Sequence, residues 1–470
     1  MSTSLAHTDL AHPTTRTTPA FPALEWVAGR LDSFAGNVGT AVLTVPAPMA
    51  PPETLLRLSS VQNDIGVLWD PPGGPAMAGV GVAHRIDLRG RERFLDLKRQ
   101  AARFWENVVS EAFTTSGSSP RLFGGFAFDV GAADEAPWTS FGDGCFTLPR
   151  LLYSCDADST SGHLQLAVNG HELADPDAAG RFLGLLETAL LELQVADPGT
   201  APSHELHVQS PFDDTWTTQI EAIRAGIEAG HFEKVVAARR SLVEVSRAFD
   251  VTAVLGRLAE GLRASTRFAF QRPGVTFLGA TPERLVTRRG EQIETEALAG
   301  SIALGQAAEL LSSGKDQQEH RLVVDSIVRR LEPLCRELDV RSEPRVQELR
   351  EVLHLHTPIR GCLAAPYHVL DLVELLHPTP AVGGVPTEIA MTWIAEHERA
   401  QRGWYAAPIG WFDAAGDGEF AVALRSSVLE GRRAHLYAGA GIVQDSDPDL
   451  EYQETELKLQ ALLGALGIRG

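Results

Sequence analysis

The chain has 470 residues, with 41 Lys and Arg against 61 Asp and Glu, a formal net charge of −20. That balance argues against a surface built to neutralise phosphates, so no nucleic acid is expected as a partner. With 44% hydrophobic and 22% charged residues, the composition is that of a globular protein, and at about 100–200 residues per domain it holds material for several lobes or one large fold.

No apolar run reaches the ~18 residues of a membrane-spanning helix, and the first segment lacks a basic start and an apolar core. No membrane partner is expected, and the expected location is cytoplasmic. The four cysteines, Cys145, Cys155, Cys335 and Cys362, have neither the number nor the spacing of a disulfide framework or zinc site, and read as small hydrophobes.

Along the chain, residues 1–20 are rich in Ser, Thr and Pro and read as a disordered tail. Residues 21–200 mix strand-like runs (42–45, 121–128, 164–168) with helical patterns at 92–112 and 177–194, giving an α/β lobe. A break rich in Pro, Gly and Asp at 195–214 marks a boundary. Residues 210–470 then repeat the mixture, with strands expected at 235–238, 275–279, 420–424 and 434–438.

The second half concentrates charged side chains at the ends of apolar elements. A helix over 216–230 stops at Gly230, and Lys234 enters the apolar run 235–238. A lysine drawn into a poorly hydrated site loses proton affinity and so can act as a base near neutral pH, whereas one whose flexible stem reaches solvent keeps its charge. Glu283 follows the buried-looking run VTFLGATP, where an apolar pocket would hold its proton to higher pH and a solvated hairpin would not.

Downstream, the helical stripe Val323, Ile327, Leu331 continues back to Glu319, with Asp316 three residues earlier. Carboxylates on a core-facing stripe need a cation, a basic partner or a metal, unless they only serve the helix dipole. Near the end, Asp447 reads as a cap and Pro448 as the first helical residue, with Glu451, Glu454 and Lys458 on one face. This face is either a salt-bridged surface or the second half of an oxygen-ligand site suited to Mg²⁺. The glycines of YAGAGIV lack nucleotide-loop spacing but permit close backbone approach to a ligand, and Arg425 ends an apolar run with a planar fork suited to a carboxylate.

In order and spacing, KVVAAR, FLGATPERL, EALAGS, KDQQEH, HLHTPIRG, HPTPAVGG, ALRSSVL, YAGAGIV and EYQETELK resemble the chorismate-utilising enzymes across 215–466. A weaker echo in LFGGFAFD and WTSFGDGCFTLPR reaches into the first half. The resemblance implies the anthranilate synthase component I-like α/β (α+β) fold, with two mixed lobes of large, mainly antiparallel sheets and outer helices forming one structural unit.

Within that family the segments look most like the isochorismate synthases, above all those of menaquinone biosynthesis. The implied reaction is isomerisation of chorismate, with water adding at C2 while the C4 hydroxyl leaves. Lys234 then matches the general base and Glu283 the general acid. Glu319 and Glu454, with Glu451 and Asp316, match the ligands of Mg²⁺. Tyr405 and Arg425 match the grip on the enolpyruvyl carboxylate; Gly300, Ser301, Gly441 and Lys458 line the ring-carboxylate side, and His354 orients the ring.

Lys234, and Ala299 in place of a nucleophilic lysine, separate the chain from relatives that use ammonia, so no glutamine amidotransferase subunit is expected, and the chain is expected to be a monomer or homodimer. Salicylate synthase, which goes on to eliminate pyruvate, and siderophore-pathway isochorismate synthase are the alternatives within the family. A chorismate- or metal-binding regulator is the alternative without turnover.

Overall fold

The computed structural model describes residues 22–62, 64–114, 119–156, 160–195, 206–209, 215–349 and 352–468. The expected tail at 1–20 and most of the expected break at 195–214 lie outside the described residues.

Among the described residues two sheets dominate, one of 13 strands and one of 10. All pairings are antiparallel except that of Thr40–Ala47 with Val108–Ala112, which is parallel. Each sheet draws strands from both halves of the chain. In the larger, Thr266–Arg272 pairs with Gly66–Asp70, Phe268 opposite Trp69 and Phe270 opposite Val67. In the smaller, Pro408–Asp413 pairs with Arg121–Phe126, Ile409 opposite Gly125 and Trp411 opposite Phe123.

The period-two alternation of the strands sorts side chains to two cores. Trp69, Phe268, Phe270 and Phe277 point towards the other sheet and meet Phe123, Phe126, Phe146 and Phe420. Their neighbours Leu68, Ala269 and Leu278 point the other way, under the helices Ala23–Phe34, Ala178–Gln194, Val251–Gly261 and Pro448–Ala465. The central strands of the larger sheet are therefore apolar on both faces, which explains why they read as continuous hydrophobic runs.

Several elements differ from their expected bounds. The helix expected over 92–112 ends at Trp105, and Val108–Ala112 is a strand. Asn107 closes the helix by donating from its amide to Arg103 O at 3.3 Å, and its carbonyl accepts from Thr40 N at 2.9 Å, which starts the parallel pairing. The strand begun at Lys234 runs on to Val245. The strand expected at 420–424 is Gly418–Val422, and Arg425 lies in the turn before Ser426–Glu430 with φ +47°. YAGAGIV is not a loop: Tyr437 to Ile442 complete the strand Arg433–Ile442.

Candidate active site

A cleft opens where the strands Lys234–Val245 and Arg433–Ile442 face the irregular strand Gln292–Ala303 and the helices Gly314–Leu331 and Pro448–Ala465. It holds about 740 Å³ of space up to its mouth, and its walls include Glu283, Gly300, Ser301, Glu319, His354, Tyr405, Arg425, Gly441, Glu454 and Lys458. Most of the residues singled out in the sequence thus come together. Lys234 stands directly behind this wall, while Asp316 and Glu451 are set back from it.

Lys234 is fully buried and its Nζ donates to Glu319 Oε1 at 2.8 Å. The strand carries it inward because it pairs with Val385 on one side while Val235 pairs with Ile442 on the other. Gly441 makes the pairing of side chains possible: a Cβ there would stand 2.5 Å from Glu319 Oε1 and 2.8 Å from Lys234 Cε. Burial pushes the Glu319 carboxyl up, but the charge and hydrogen bond of Lys234, with Lys315 and Lys458 nearby, outweigh it and hold it below its ordinary value.

Glu283 follows the strand Val275–Thr281 and is 5% exposed. Its carboxyl is pushed up to about 8, by burial first and then by the negative charge of Glu296, against the opposing pull of Lys234 and Lys458. It therefore carries a proton at neutral pH, the state required of an acid.

Gly300 interrupts its strand with φ +75°, and a Cβ there would meet Asp316 Cβ at 3.1 Å. The break shifts the register between Ala299 and Ser301 and turns Gly300 O towards His354. His354 Nδ1 lies 3.1 Å from Gly300 O and 3.0 Å from Ser301 Oγ, and Nε2 lies 3.4 Å from Arg425 Nη2. A carbonyl can only accept and a guanidinium can only donate, so Nδ1 carries the hydrogen and Nε2 the lone pair. Burial, then the charges of Arg425 and Lys458, hold the ring well below its ordinary value, so it is neutral.

Arg425 and Ala406 are the non-glycine residues with positive φ among the described residues, at +47° and +61°, and both line the cleft. Such backbone is costly and persists where the surroundings over-determine it. Arg425 Nη1 donates to Lys458 O at 3.2 Å, and Ala406 N to Ala423 O at 2.9 Å. Tyr405 stacks on Tyr437 with ring centres 5.2 Å apart, and Tyr437 Oη accepts from Trp138 Nε1 at 2.9 Å. Burial raises both phenols to about 12, so they act as neutral hydroxyls.

The acidic group is held by lysines. Glu454 pairs with Lys458 at 2.5 Å, Glu451 with Lys315 at 2.8 Å, and Lys458 also donates to Gly439 O at 2.9 Å. Among the described residues no cluster of three or more His, Cys, Asp or Glu has metal-binding geometry. The donor chemistry nonetheless fits a hard divalent cation. Glu319 and Glu454 face the cleft. Behind them Asp316 and Glu451 are both pushed up, by burial first and then by their neighbours' carboxylate charge, Glu319 and Glu454 for Asp316 and Glu454 for Glu451. A cation among these groups relieves that repulsion.

Sequence reading missed the buried pair Glu398 and Arg402. Among the described residues, no neighbouring strand covers the outer edge of the strand Lys234–Val245 between Val385 and its paired end; Glu398 Oε1 accepts from Ala238 N at 3.0 Å, and Arg402 Nη2 donates to Val236 O at 2.8 Å. Arg402 Nη1 also donates to Val382 O at 2.8 Å, tying two walls of the cleft together. The pair satisfies backbone groups on that edge as a neighbouring strand would. Its one sequence signal is the i, i+4 spacing of Glu and Arg on a segment with few apolar residues.

Comparison with known proteins places this geometry. The family model described as "Chorismate binding enzyme" matches residues 36–467. The isochorismate synthase MenF of Bacillus subtilis is 36% identical over 413 residues, 85% of this chain and 87% of that protein. The salicylate biosynthesis isochorismate synthase of Pseudomonas aeruginosa is 35% identical over 419 residues, 86% of this chain and 85% of that protein. Among solved structures, the menaquinone-specific isochorismate synthase MenF of Escherichia coli superposes with a TM-score of 0.76 at 27% identity, covering 94% of this chain and 98% of that one. Anthranilate synthase component I of Streptococcus pneumoniae shares the fold, with a TM-score of 0.64 at 21% identity over 96% of this chain and 95% of that one.

Proposed function

The chain belongs to the chorismate-binding enzymes, and from that premise we propose that it is an isochorismate synthase, an isomerase that converts chorismate to isochorismate. The observation that carries the reading is the meeting, at one cleft, of a buried carboxyl at Glu283 that keeps its proton with Lys234, buried directly behind the wall and held by Glu319. Groups in opposite protonation roles are what the reaction requires.

Lys234 rests as an ammonium paired with Glu319; once that proton has passed to solvent, the free amine takes a proton from a water whose oxygen bonds to ring C2. The ring double bonds shift, the C4–O bond breaks, and Glu283 gives its proton to the departing hydroxyl, which leaves as water. The ammonium formed at Lys234 is held by Glu319, 2.8 Å away, so the developing charge meets a fixed partner in a dry site. Proton return between solvent and the two groups resets the enzyme. Arg425 and Tyr405 grip the enolpyruvyl carboxylate, His354 accepts from Arg425 and holds its fork in place, and the backbone at Gly300 and Gly441, with Ser301 and Lys458, lines the ring-carboxylate side.

Glu319 and Glu454 would hold Mg²⁺, with Glu451 and Asp316 behind them. Bound there, the ion neutralises and orients the ring carboxylate of a dianionic substrate. Because each sheet takes strands from both halves, the lobes 21–200 and 210–470 act as one unit. No helix among the described residues is long and apolar enough to cross a membrane, and a cytoplasmic location fits a soluble substrate. Water as nucleophile removes the need for a glutamine amidotransferase subunit.

Two relatives named for the menaquinone enzyme, from B. subtilis and E. coli, support that pathway. The P. aeruginosa relative, named for salicylate biosynthesis, favours the same reaction in a second pathway. Incubation of the purified protein with chorismate and Mg²⁺, followed by chromatography, tests the reading. Isochorismate is expected; salicylate with pyruvate would place the chain with the lyases, and unconsumed chorismate would overturn catalysis altogether.

A further inference from the structure

Glu283 is not the only carboxyl at its end of the cleft. Glu296, on the strand Gln292–Ala303, accepts from the backbone N–H of Arg284, the residue next to Glu283, at 2.9 Å through Oε1. Its other oxygen, Oε2, lies 2.9 Å from His356 Nε2. Its negative charge raises the Glu283 carboxyl, so the groups that hold Glu296 bear on where the proton stays.

Arg345 Nε donates to His356 Nδ1 at 3.3 Å, so Nδ1 holds the lone pair and Nε2 carries the hydrogen. Glu296 therefore accepts one N–H on each oxygen, from Arg284 and from His356, and is fixed in place beside Glu283. The chain Arg345, His356, Glu296 runs inward from an exposed arginine. Glu283, by contrast, is enclosed and faces this fixed negative group.

We propose that Glu296, held by His356 and the Arg284 amide, is a positioning residue that keeps the proton on Glu283 and so sets the pH range of the isomerisation. This rests on the reading of Glu283 as the general acid. The charged and titratable groups facing Glu283 are Glu296 from the strand Gln292–Ala303, Lys234 from the strand Lys234–Val245, Lys458 from the helix Pro448–Ala465, and Tyr405 from the segment before Pro408. Both lysines draw the proton off Glu283; Glu296 opposes them.

The test is the pH dependence of kcat for chorismate with saturating Mg²⁺, in the parent, Glu296→Gln, His356→Leu and Glu283→Gln, each checked for folding by thermal unfolding. Glu296→Gln keeps the size of the side chain and removes its charge. Its basic limb is expected to fall by about one pH unit, the size of one close like-charge interaction, which makes kcat at pH 8 about fivefold lower than in the parent. His356→Leu, which takes one N–H from Glu296, moves the limb in the same direction. A basic limb unchanged in folded Glu296→Gln, or in His356→Leu if Glu296→Gln does not fold, overturns the proposal while leaving Glu283 in place. Retained turnover with an intact basic limb in Glu283→Gln overturns the acid assignment itself.

Discussion

Replacing Gly441 by alanine puts the geometry of the site under direct strain. The new Cβ would stand 2.5 Å from Glu319 Oε1, 2.8 Å from Lys234 Cε and 3.1 Å from Lys234 Nζ, whereas ordinary contact begins at 3.4 Å. The Glu319 oxygen must therefore retreat by roughly 1 Å, and Lys234, enclosed on all sides, cannot follow freely. A displacement of that size at reacting groups costs about 100-fold in rate, or about 2.7 kcal/mol of barrier, and overpacking costs a further 1–3 kcal/mol or so of stability. Initial rates of chorismate consumption, with thermal unfolding as the companion measurement, read the two effects separately. Gly464, on the helix Pro448–Ala465 with nothing within 4 Å of its Cβ position, is the control, because alanine there meets no atom. A Gly441→Ala enzyme within threefold of the parent in kcat/KM would refute the claim that the Lys234–Glu319 pair is held at a catalytic distance.

Other outcomes follow from the same contacts. Lys234→Ala is expected to abolish turnover, and because it leaves Glu319 buried without its 2.8 Å partner it also costs about 3–5 kcal/mol of stability; near-normal turnover would sink the base assignment. Since the acid form of Glu283 is required and its carboxyl sits at about 8, kcat is expected to fall about tenfold per unit above that pH, a basic limb read by stopped time points across pH 6 to 10. Mg²⁺ with chorismate is expected to raise the unfolding temperature of the parent but not of Glu319→Ala or Glu454→Ala; equal stabilisation in the variants would count against these ligands. Arg402→Ala breaks a pair 3% and 6% exposed, and a loss of about 3–5 kcal/mol is expected in denaturant unfolding.

The fold was legible where local pattern and local structure coincide. Gly230 ends its helix with φ +73°, and Asp447 caps Pro448–Ala465 by accepting from Asp449 N and Leu450 N, both as the residue types imply. Lys234 and Glu283 were legible because each adjoins an apolar run that the structure buries. The interleaving of both halves in each sheet was not, because the pairing of Phe268 with Trp69 depends on long-range contacts that leave no periodic trace. Glu296 and His356 escaped for the same reason: they meet across 60 positions of sequence, and Glu398 reaches Ala238 across 160. Arg425 was placed at the end of a strand, since its sequence neighbours are apolar, whereas its backbone turns left-handed to bring the guanidinium to His354 and Lys458 O. The lysine partners of Glu319, Glu451 and Glu454 were foreseen only for the i, i+4 pair of Glu454 and Lys458.

The source of the new hydroxyl oxygen tests the central claim most directly. Chorismate turned over in water enriched in ¹⁸O, with isochorismate isolated and weighed by mass spectrometry, is expected to yield product carrying one heavy oxygen at C2, as addition of a water activated by Lys234 requires. Isochorismate formed without label would mean that the C4 hydroxyl migrates within the substrate, and would contradict the assignment of Lys234 and Glu283 as a base and acid acting on separate oxygens.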